Sequence, residues 1–214
     1  MDTEQLAARL AELRVVPVVT IDDAADAAGL AGALAAGGLP IAEITFRTDA
    51  AAEAIGAIRA ARPDVLVGAG TVLDAATVDR ALDAGAEFIV APGFNPKVVA
   101  RAHASGVAVV PGVVTPSEIE AAMTLGLRLL KFFPAEASGG PGYLSAVRAT
   151  YPSVRFVPTG GVNVGNLAAY LALPNVIAAG GTWIATADAI RNHRWDEITR
   201  LAAEAVRVSR SQPA

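Results

Sequence analysis

The chain has 214 residues, of which 53% are hydrophobic and 18% are charged, and its net charge is −4. This weakly acidic balance argues against nucleic-acid binding, and the absence of cysteine excludes disulfides, thiolate catalysis and cysteine-bound metals. The length provides an ample core for one large domain or two small ones.

The predicted elements begin with an amphipathic helix over residues 1–13, in which charged residues interrupt the apolar ones. This composition is not that of a secretory signal. No apolar stretch free of charges and turn residues approaches the length of a membrane span. We therefore expect a cytoplasmic chain that has neither a membrane nor a nucleic acid as its partner.

Short β-branched segments then alternate with alanine-rich segments of helical periodicity. Helix N-caps are expected at Asp22, Asp74 and Thr115. Strands are predicted at residues 15–20, 41–46, 65–68, 88–91, 107–111, 127–132, 155–158 and 176–179. Helices between them include residues 24–36, 50–62, 75–84, 97–105 and 117–125.

Strand–helix units of about 25 residues fill the whole length, and no linker divides the chain. The sequence therefore predicts an α/β protein that forms a single (β/α)8 TIM barrel over residues 1–214, with the helix at residues 1–13 as an extra N-terminal element. A doubly wound open sheet is the alternative. It is weakened because no Gly-x-Gly-x-x-Gly motif follows the first strand.

Polar side chains mark the ends of the second and third strands, where a barrel of this kind builds its active site. Strand alternation places Glu43 and Thr45 on one face, and Arg47 lies just beyond the strand. A glutamate inside an apolar strand needs a partner or a function. It could pair with an arginine and only stabilise the barrel. Thr71 offers a hydroxyl where the third strand ends.

The sixth strand carries a lysine in an apolar segment. Only Lys97 and Lys131 are lysines among the 17 basic residues, and Lys131 is the one that lies in a predicted buried strand. Burial disfavours the ammonium form, and a neutral amine can form a Schiff base with a carbonyl substrate. The alternative is a structural lysine that reaches solvent or pairs with Glu136.

Glycine pairs follow the seventh and eighth strands, at Gly160-Gly161 and Gly180-Gly181. Barrels often bind phosphate at this place, because glycine lets backbone N–H groups approach the phosphate oxygens. Two ordinary glycine turns are the alternative. His103 and His193 lie far apart in the sequence, without a carboxylate motif near either, so no metal site is predicted.

Taken together, these motifs resemble the 2-keto-3-deoxy-6-phosphogluconate (KDPG) aldolase family of class I, Schiff-base-forming (β/α)8 barrels, which are usually homotrimers. The resemblance covers almost the whole chain. It departs at Thr182, where the family often has serine, and at Phe46, where leucine is common. The motifs that carry it are residues 43–48 (EITFRT), 67–72 (VGAGTV), 131–136 (KFFPAE) and 158–162 (PTGGV).

The resemblance implies a role for each matching residue. Lys131 would form the Schiff base, and Glu43 would act as the general acid and base. Thr159 would read the configuration at C4, because the enzyme for the galactonate epimer tends to have valine there. Arg47 and Thr71 would bind the pyruvoyl carboxylate and neighbouring oxygens, Pro92 and Phe133 would wall the pyruvate pocket, and Gly160, Gly161, Gly181 and Thr182 would hold the phosphate.

The implied activity is reversible cleavage of 2-keto-3-deoxy-6-phosphogluconate to pyruvate and glyceraldehyde 3-phosphate, a reaction of the Entner–Doudoroff pathway. A further activity on 4-hydroxy-2-oxoglutarate is also implied. No cofactor or metal is expected, because the imine itself activates the substrate. The rivals are an aldolase for the galactonate epimer, a phosphosugar isomerase or epimerase, for which Lys131 is superfluous, and a non-catalytic phosphate-binding barrel, which Glu43, Arg47 and Lys131 disfavour.

Overall fold

Strands and helices alternate along the chain in the computed structural model, which describes residues 1–211. Their order confirms the predicted alternation. The strands are β1 (Val15–Val19), β2 (Ile41–Thr45), β3 (Leu66–Gly70), β4 (Phe88–Val90), β5 (Ala108–Val110), β6 (Gly112–Val113), β7 (Leu129–Phe132), β8 (Arg155–Pro158) and β9 (Ala179–Gly181). The helices are α1 (Thr3–Leu13), α2 (Ala27–Ala36), α3 (Ala51–Ala61), α4 (Ala75–Asp83), α5 (Pro96–Ala104), α6 (Pro116–Thr124), α7 (Gly140–Arg148), α8 (Leu167–Leu171), α9 (Ala187–Arg191) and α10 (Trp195–Arg210).

The strands form two parallel sheets that curl in a TIM-barrel-like arrangement. One sheet has the order β5-β4-β3-β2-β1-β9, and the other has the order β6-β7-β8. Isolated parallel bridges join Phe156 to Val176 and Thr159 to Gly180, so β8 also contacts the segment that contains β9. Because the strand pairs are parallel, their carboxyl ends gather on one side of the molecule.

The fifth predicted strand, at residues 107–111, is divided into β5 and β6. Pro111 separates them because proline has no N–H to donate to a sheet. Its carbonyl oxygen instead accepts a hydrogen bond from the Lys131 N–H, at 2.9 Å. This contact continues into the pairing of β6 with β7, in which Gly112 lies opposite Lys131.

The eighth strand lies later than predicted, at Ala179–Gly181 instead of residues 176–179. The N–H of Val176 donates to the carbonyl of Leu173 at 2.9 Å, so Val176 belongs to a turn and forms only an isolated bridge. Pairing with β1 begins at Ala179 and continues through Gly180 and Gly181. The predicted Gly180-Gly181 corner is therefore part of a strand, and Thr182 is the first residue beyond it.

Two of the three predicted helix caps are confirmed. The side chain of Asp74 caps α4, and Thr115 caps α6 through a capping box. The prediction of a cap at Asp22 is wrong: Asp23, whose backbone is extended, caps the 3₁₀ turn Ala24–Asp26 that precedes α2. Asp22 instead forms an ion pair with Arg191, at 3.2 Å.

Alternate strand residues contribute to two apolar cores. In β1, Val15 and Val19 belong to the core between the strands and the surrounding helices, whereas Val16 belongs to a core enclosed by the strands. Leu6 and Leu10 of α1 join that inner core. Among the helices of residues 1–211, none has both the length and the apolar character needed to cross a membrane.

Candidate active site

Strands β2 and β7 bring together an acid and an amine that are 88 residues apart in the sequence. Lys131 Nζ lies 3.2 Å from Glu43 Oε1, and the two residues are only 5% and 3% exposed. Two charges buried to this degree persist when they are paired. The ring of Phe133 is a further neighbour of the amine, with its centroid 5.4 Å from Nζ. The structure thus places a desolvated amine within hydrogen-bonding distance of a carboxylate.

Strand alternation explains why Glu43 points inward. Its neighbours Ala42 and Ile44 belong to the outer core, against the helices, so the side chain between them faces the space that the strands enclose. Gly70 makes room for it, because a β-carbon at that position would lie 2.3 Å from Glu43 Oε1. The glycine at the end of β3 is therefore required by the glutamate on β2.

A cavity of about 60 Å³ opens above the amine at the carboxyl ends of the strands. Every predicted site residue except Glu43 lines it, and Glu43 lies just below, beside a smaller space of about 20 Å³ that Lys131 and Thr159 also border. Sequence reasoning missed Val18 and Val162, although the alternation of β1 could have identified Val18 as an inward residue. The lining residues are Val18, Arg47, Thr71, Pro92, Lys131, Phe133, Thr159, Gly160, Gly161, Val162, Gly181 and Thr182.

One side of the cavity carries a cation and a strained threonine. Arg47 forms no ion pair with another residue among residues 1–211, so its charge is available to an anionic ligand. Thr71 has a φ of +56°, which is a rare conformation for a β-branched residue. Such a conformation costs on the order of 1–3 kcal/mol and is found mostly at functional sites.

The other side is built from backbone. Gly160 and Gly161 both have positive φ, at +98° and +80°, so the chain turns there in a way that other residues rarely allow. Gly181 and Thr182 complete this side of the cavity. The two sides of the cavity therefore differ in kind, since one presents charged and hydroxyl side chains and the other presents main chain.

Lys131 does not pair with Glu136, which was the structural alternative for this lysine. The Glu136 side chain instead accepts a hydrogen bond from the Tyr170 hydroxyl. Burial and the Glu136 carboxylate both raise the pKa of Tyr170, so its hydroxyl stays protonated and donates. Glu136 is thus occupied on the far side of the Gly160-Gly161 corner, and Glu43 is the carboxylate beside the amine.

A larger cavity, of about 480 Å³, lies elsewhere, at the start of β8. Arg148, Arg155 and Asn175 line it, but it contains neither a lysine nor a carboxylate. Volume alone would select this cavity, whereas the chemistry selects the smaller one. Within residues 1–211, no group of three or more His, Asp or Glu residues is arranged to hold a metal ion.

Comparison with known proteins gives one consistent family. The model of the KDPG and KHG aldolase family matches residues 6–201. The 2-dehydro-3-deoxy-phosphogluconate aldolase of Haemophilus influenzae is 46% identical over 204 residues, which cover 95% of this chain and 96% of that protein. The enzyme of the same name from Treponema pallidum is 47% identical over 199 residues, covering 93% and 95%.

A solved structure adds chemical information about a relative. The crystal structure of KDPG aldolase from Legionella pneumophila, in which pyruvate was captured at low pH as a covalent carbinolamine intermediate, matches this chain with a TM-score of 0.90. The two sequences are 40% identical, and the match covers 93% of this chain and 97% of that one.

Proposed function

The chain belongs to the KDPG and KHG aldolase family, and on that premise we propose that Lys131 is the Schiff-base lysine of an enzyme that cleaves 2-keto-3-deoxy-6-phosphogluconate to pyruvate and glyceraldehyde 3-phosphate. The observation that carries this assignment is the buried Lys131–Glu43 pair beneath the cavity. An aldolase of this class is an aldehyde-lyase that needs an amine nucleophile and an acid–base partner for it.

The first step uses the proton that the two groups share. Transfer of that proton from Lys131 to Glu43 gives a neutral amine, which attacks the C2 carbonyl of the keto acid to form a carbinolamine. Glu43 then returns a proton to the departing C2 hydroxyl, and water leaves as the protonated imine forms. The distance of 3.2 Å between Nζ and Oε1 allows the first of these transfers without movement of the strands.

The imine draws electrons from the bond that breaks. Glu43, once more a carboxylate, removes the proton of the C4 hydroxyl directly or through water. The C3–C4 bond then breaks and its electron pair forms the C2=C3 double bond, while the pair of the C=N double bond moves to nitrogen. This gives an enamine, and C4 leaves as the aldehyde of glyceraldehyde 3-phosphate. Protonation of the enamine at C3 and hydrolysis release pyruvate and restore Lys131.

Two anionic groups fix the substrate in the cavity. Arg47 and Thr71 would hold the carboxylate, and the Gly160-Gly161 corner with Gly181 and Thr182 would hold the phosphate. Pro92 and Phe133 would wall the pyruvoyl carbons. Holding both ends fixes the central bond over the amine, which is the positional contribution to catalysis. The phosphorylated keto acid is therefore the small-molecule partner that we assign to this site.

Thr159 is the residue that we assign to the C4 configuration. It is 95% buried, it borders both the cavity and the space beside Glu43, and its hydroxyl has no hydrogen-bond partner within residues 1–211. After rotation of the side chain away from Gly180, this hydroxyl could accept or donate a hydrogen bond to a substrate hydroxyl, whereas valine could not. We therefore favour the gluconate substrate over its galactonate epimer.

The test combines trapping with substrate choice. Pyruvate and borohydride should leave a reduced adduct on Lys131, located by peptide mass spectrometry. A coupled assay for pyruvate release should show faster cleavage of the gluconate compound than of the galactonate compound, with slower cleavage of 4-hydroxy-2-oxoglutarate. Absence of an adduct would favour the isomerase rival, whereas an adduct with preference for the galactonate compound would reject only the substrate assignment.

The closure of the barrel, the position of α1 and the oligomeric state are also proposals. We infer one domain with a fully closed (β/α)8 barrel, whose N-terminal end is covered by α1 as an extra helix. The contact of Leu6 and Leu10 with the inner core supports that position. We further propose a cytoplasmic homotrimer. Light scattering on the purified protein should give three times the chain mass of 21.7 kDa.

A further inference from the structure

The Gly160-Gly161 corner is held from behind by hydrogen bonds to its two carbonyl groups. The carbonyl of Gly160 accepts from the backbone N–H of Glu136, at 3.0 Å. The carbonyl of Gly161 accepts from two side-chain amides, those of Asn163 at 3.2 Å and Asn166 at 3.1 Å. Both carbonyl oxygens are therefore fixed in direction by groups that lie outside the cavity lining.

Fixing these carbonyls also fixes two N–H groups. In a planar trans peptide the N–H points opposite to the C=O of the same unit. The N–H groups of Gly161 and Val162 belong to these two peptide units, and both residues line the cavity. Neither N–H donates to another residue within residues 1–211. The corner thus carries two unused donors whose orientation is set by the groups behind it.

Glu136 is itself held in place by a residue from another helix. The Tyr170 hydroxyl, on the fully buried ring in α8, donates to Glu136 Oε1. The Glu136 side chain also packs closely on the corner, since a β-carbon at Gly161 would lie 2.6 Å from Glu136 Cγ. A chain of contacts therefore runs from Tyr170 through Glu136 to the peptide between Gly160 and Gly161.

We propose that Tyr170, acting through Glu136, and the Asn163–Asn166 amide pair are positioning residues that aim the Gly161 and Val162 N–H groups at the phosphate of the substrate. This inference rests on the proposed function, since it concerns the phosphate end of the same site. None of these side chains needs to touch the substrate. Their contribution is the orientation of two donors, which is lost when the peptide units behind them can rotate.

The chain supplies a matched control for Tyr170. The Tyr151 hydroxyl donates to Glu120 Oε1 at 2.9 Å, and Tyr151 is 94% buried. This second Tyr–Glu hydrogen bond has the same chemistry, but neither residue lines the cavity. Comparing Tyr170→Phe with Tyr151→Phe therefore separates loss of a buried hydroxyl from loss of orientation at the corner.

The experiment measures kcat and KM of both variants on a phosphorylated and a non-phosphorylated keto acid. For Tyr170→Phe we expect KM for 2-keto-3-deoxy-6-phosphogluconate to rise about tenfold, the effect of weakening hydrogen bonds to a charged group. We expect kcat to stay within about twofold and the parameters for 4-hydroxy-2-oxoglutarate to stay unchanged. Tyr151→Phe should leave kcat and KM unchanged for both substrates.

Equal losses on both substrates, or equal effects in Tyr170→Phe and Tyr151→Phe, would overturn the positioning role. Calorimetric binding of inorganic phosphate repeats the comparison without turnover. If Tyr170→Phe binds phosphate about tenfold more weakly than the unmodified protein, the positioning role is supported. This holds even if the unmodified protein cleaves no keto acid, because that failure would reject only the proposed reaction. If Tyr170→Phe binds phosphate as tightly as the unmodified protein, the positioning role is rejected and the proposed reaction is unaffected.

Discussion

The two ends of the cavity are built from different parts of the chain. At the amine end, Glu43 and Lys131 are side chains on strands, and their direction follows from strand alternation. At the phosphate end, the groups that we assign to binding include main-chain N–H groups in a loop, and the direction of these N–H groups follows from contacts with Glu136 and Asn166.

This difference separates two kinds of effect. A substitution at the amine end removes a reacting group and should lower kcat, because the interaction is made in the transition state. A substitution at the phosphate end should mainly raise KM, because the phosphate is bound alike before and during the reaction.

Lys131→Ala should reduce turnover to the uncatalysed background, because no other group at the site can form the imine. The matched control is Lys97→Ala, which changes the only other lysine of the chain. Lys97 lies exposed at the start of α5, so this variant should keep full activity. Steady-state pyruvate release and borohydride trapping measure both. An adduct on Lys97, or near-normal turnover by Lys131→Ala, would show that Lys131 is not the Schiff-base lysine.

Glu43→Gln should lower kcat by about 10²–10⁴-fold while imine formation with pyruvate remains detectable, because the amide keeps the shape and cannot transfer protons. Trapping and turnover are measured on the same preparation. Glu87→Gln serves as the control. Glu87 forms an ion pair with Arg59, at 2.7 Å, and neither residue lines the cavity. An unchanged kcat in Glu43→Gln would show that another group moves the protons.

Gly161→Ala should raise KM for the phosphorylated substrate about tenfold or more, because the new β-carbon would lie 2.6 Å from Glu136 Cγ and must displace the corner. Gly106→Ala is the control: Gly106 has a similar φ of +67°, and no atom lies within 4 Å of the added carbon. Both variants should lose about 1–2 kcal/mol of stability from positive φ. If Gly161→Ala and Gly106→Ala raise KM by the same factor, backbone strain alone explains the rise.

Glu118→Gln should have the smallest effect, and the quantity it changes is the stability of the fold. Glu118 belongs to the capping box at the start of α6. Hydrogen bonds from the Thr115 and Val114 backbone hold the pKa of the Glu118 carboxyl below its ordinary value. A lowered folded-state pKa means stability that is present above the unfolded value, near 4.3, and is lost as pH falls through the folded value.

Because Glu118 is largely solvated, the contribution is at most about 1 kcal/mol, or about 2–4 °C in Tm. We expect the Tm difference between the unmodified chain and Glu118→Gln to be largest at neutral pH and to shrink as pH falls below about 4. Thermal unfolding followed by circular dichroism across this range measures it. A difference that is constant with pH would assign the effect to lost hydrogen-bond geometry and not to charge.

Local sequence information determined the helices more accurately than the strands. The helices predicted at residues 50–62, 75–84, 97–105 and 117–125 each agree with the structure to within about one residue at both ends. Their periodicity and caps are local signals. The strand at residues 176–179 was misplaced because its position depends on pairing with β1, which lies more than half the chain away.

Residue types and their periodicity alone identified the residues that we assign to the reaction and placed them on strands and loops. Lys131 in an apolar strand, Glu43 in another and the Gly160-Gly161 pair were all visible as residue types in unusual positions. Strand alternation and parallel order were sufficient to expect them at one end of the fold, because both are short-range rules of backbone geometry.

The partner that each of these groups takes follows from the three-dimensional contacts. Glu43 rather than Glu136 lies beside Lys131, and Tyr170 lies behind Glu136. These pairs join residues distant in sequence, and hydrogen bonds depend on distance and direction, which no local pattern encodes. The glycine pair predicted the place of the phosphate end, but it did not predict how the Gly161 and Val162 N–H groups are oriented. That orientation depends on the contacts behind their peptide units, which join residues from other segments.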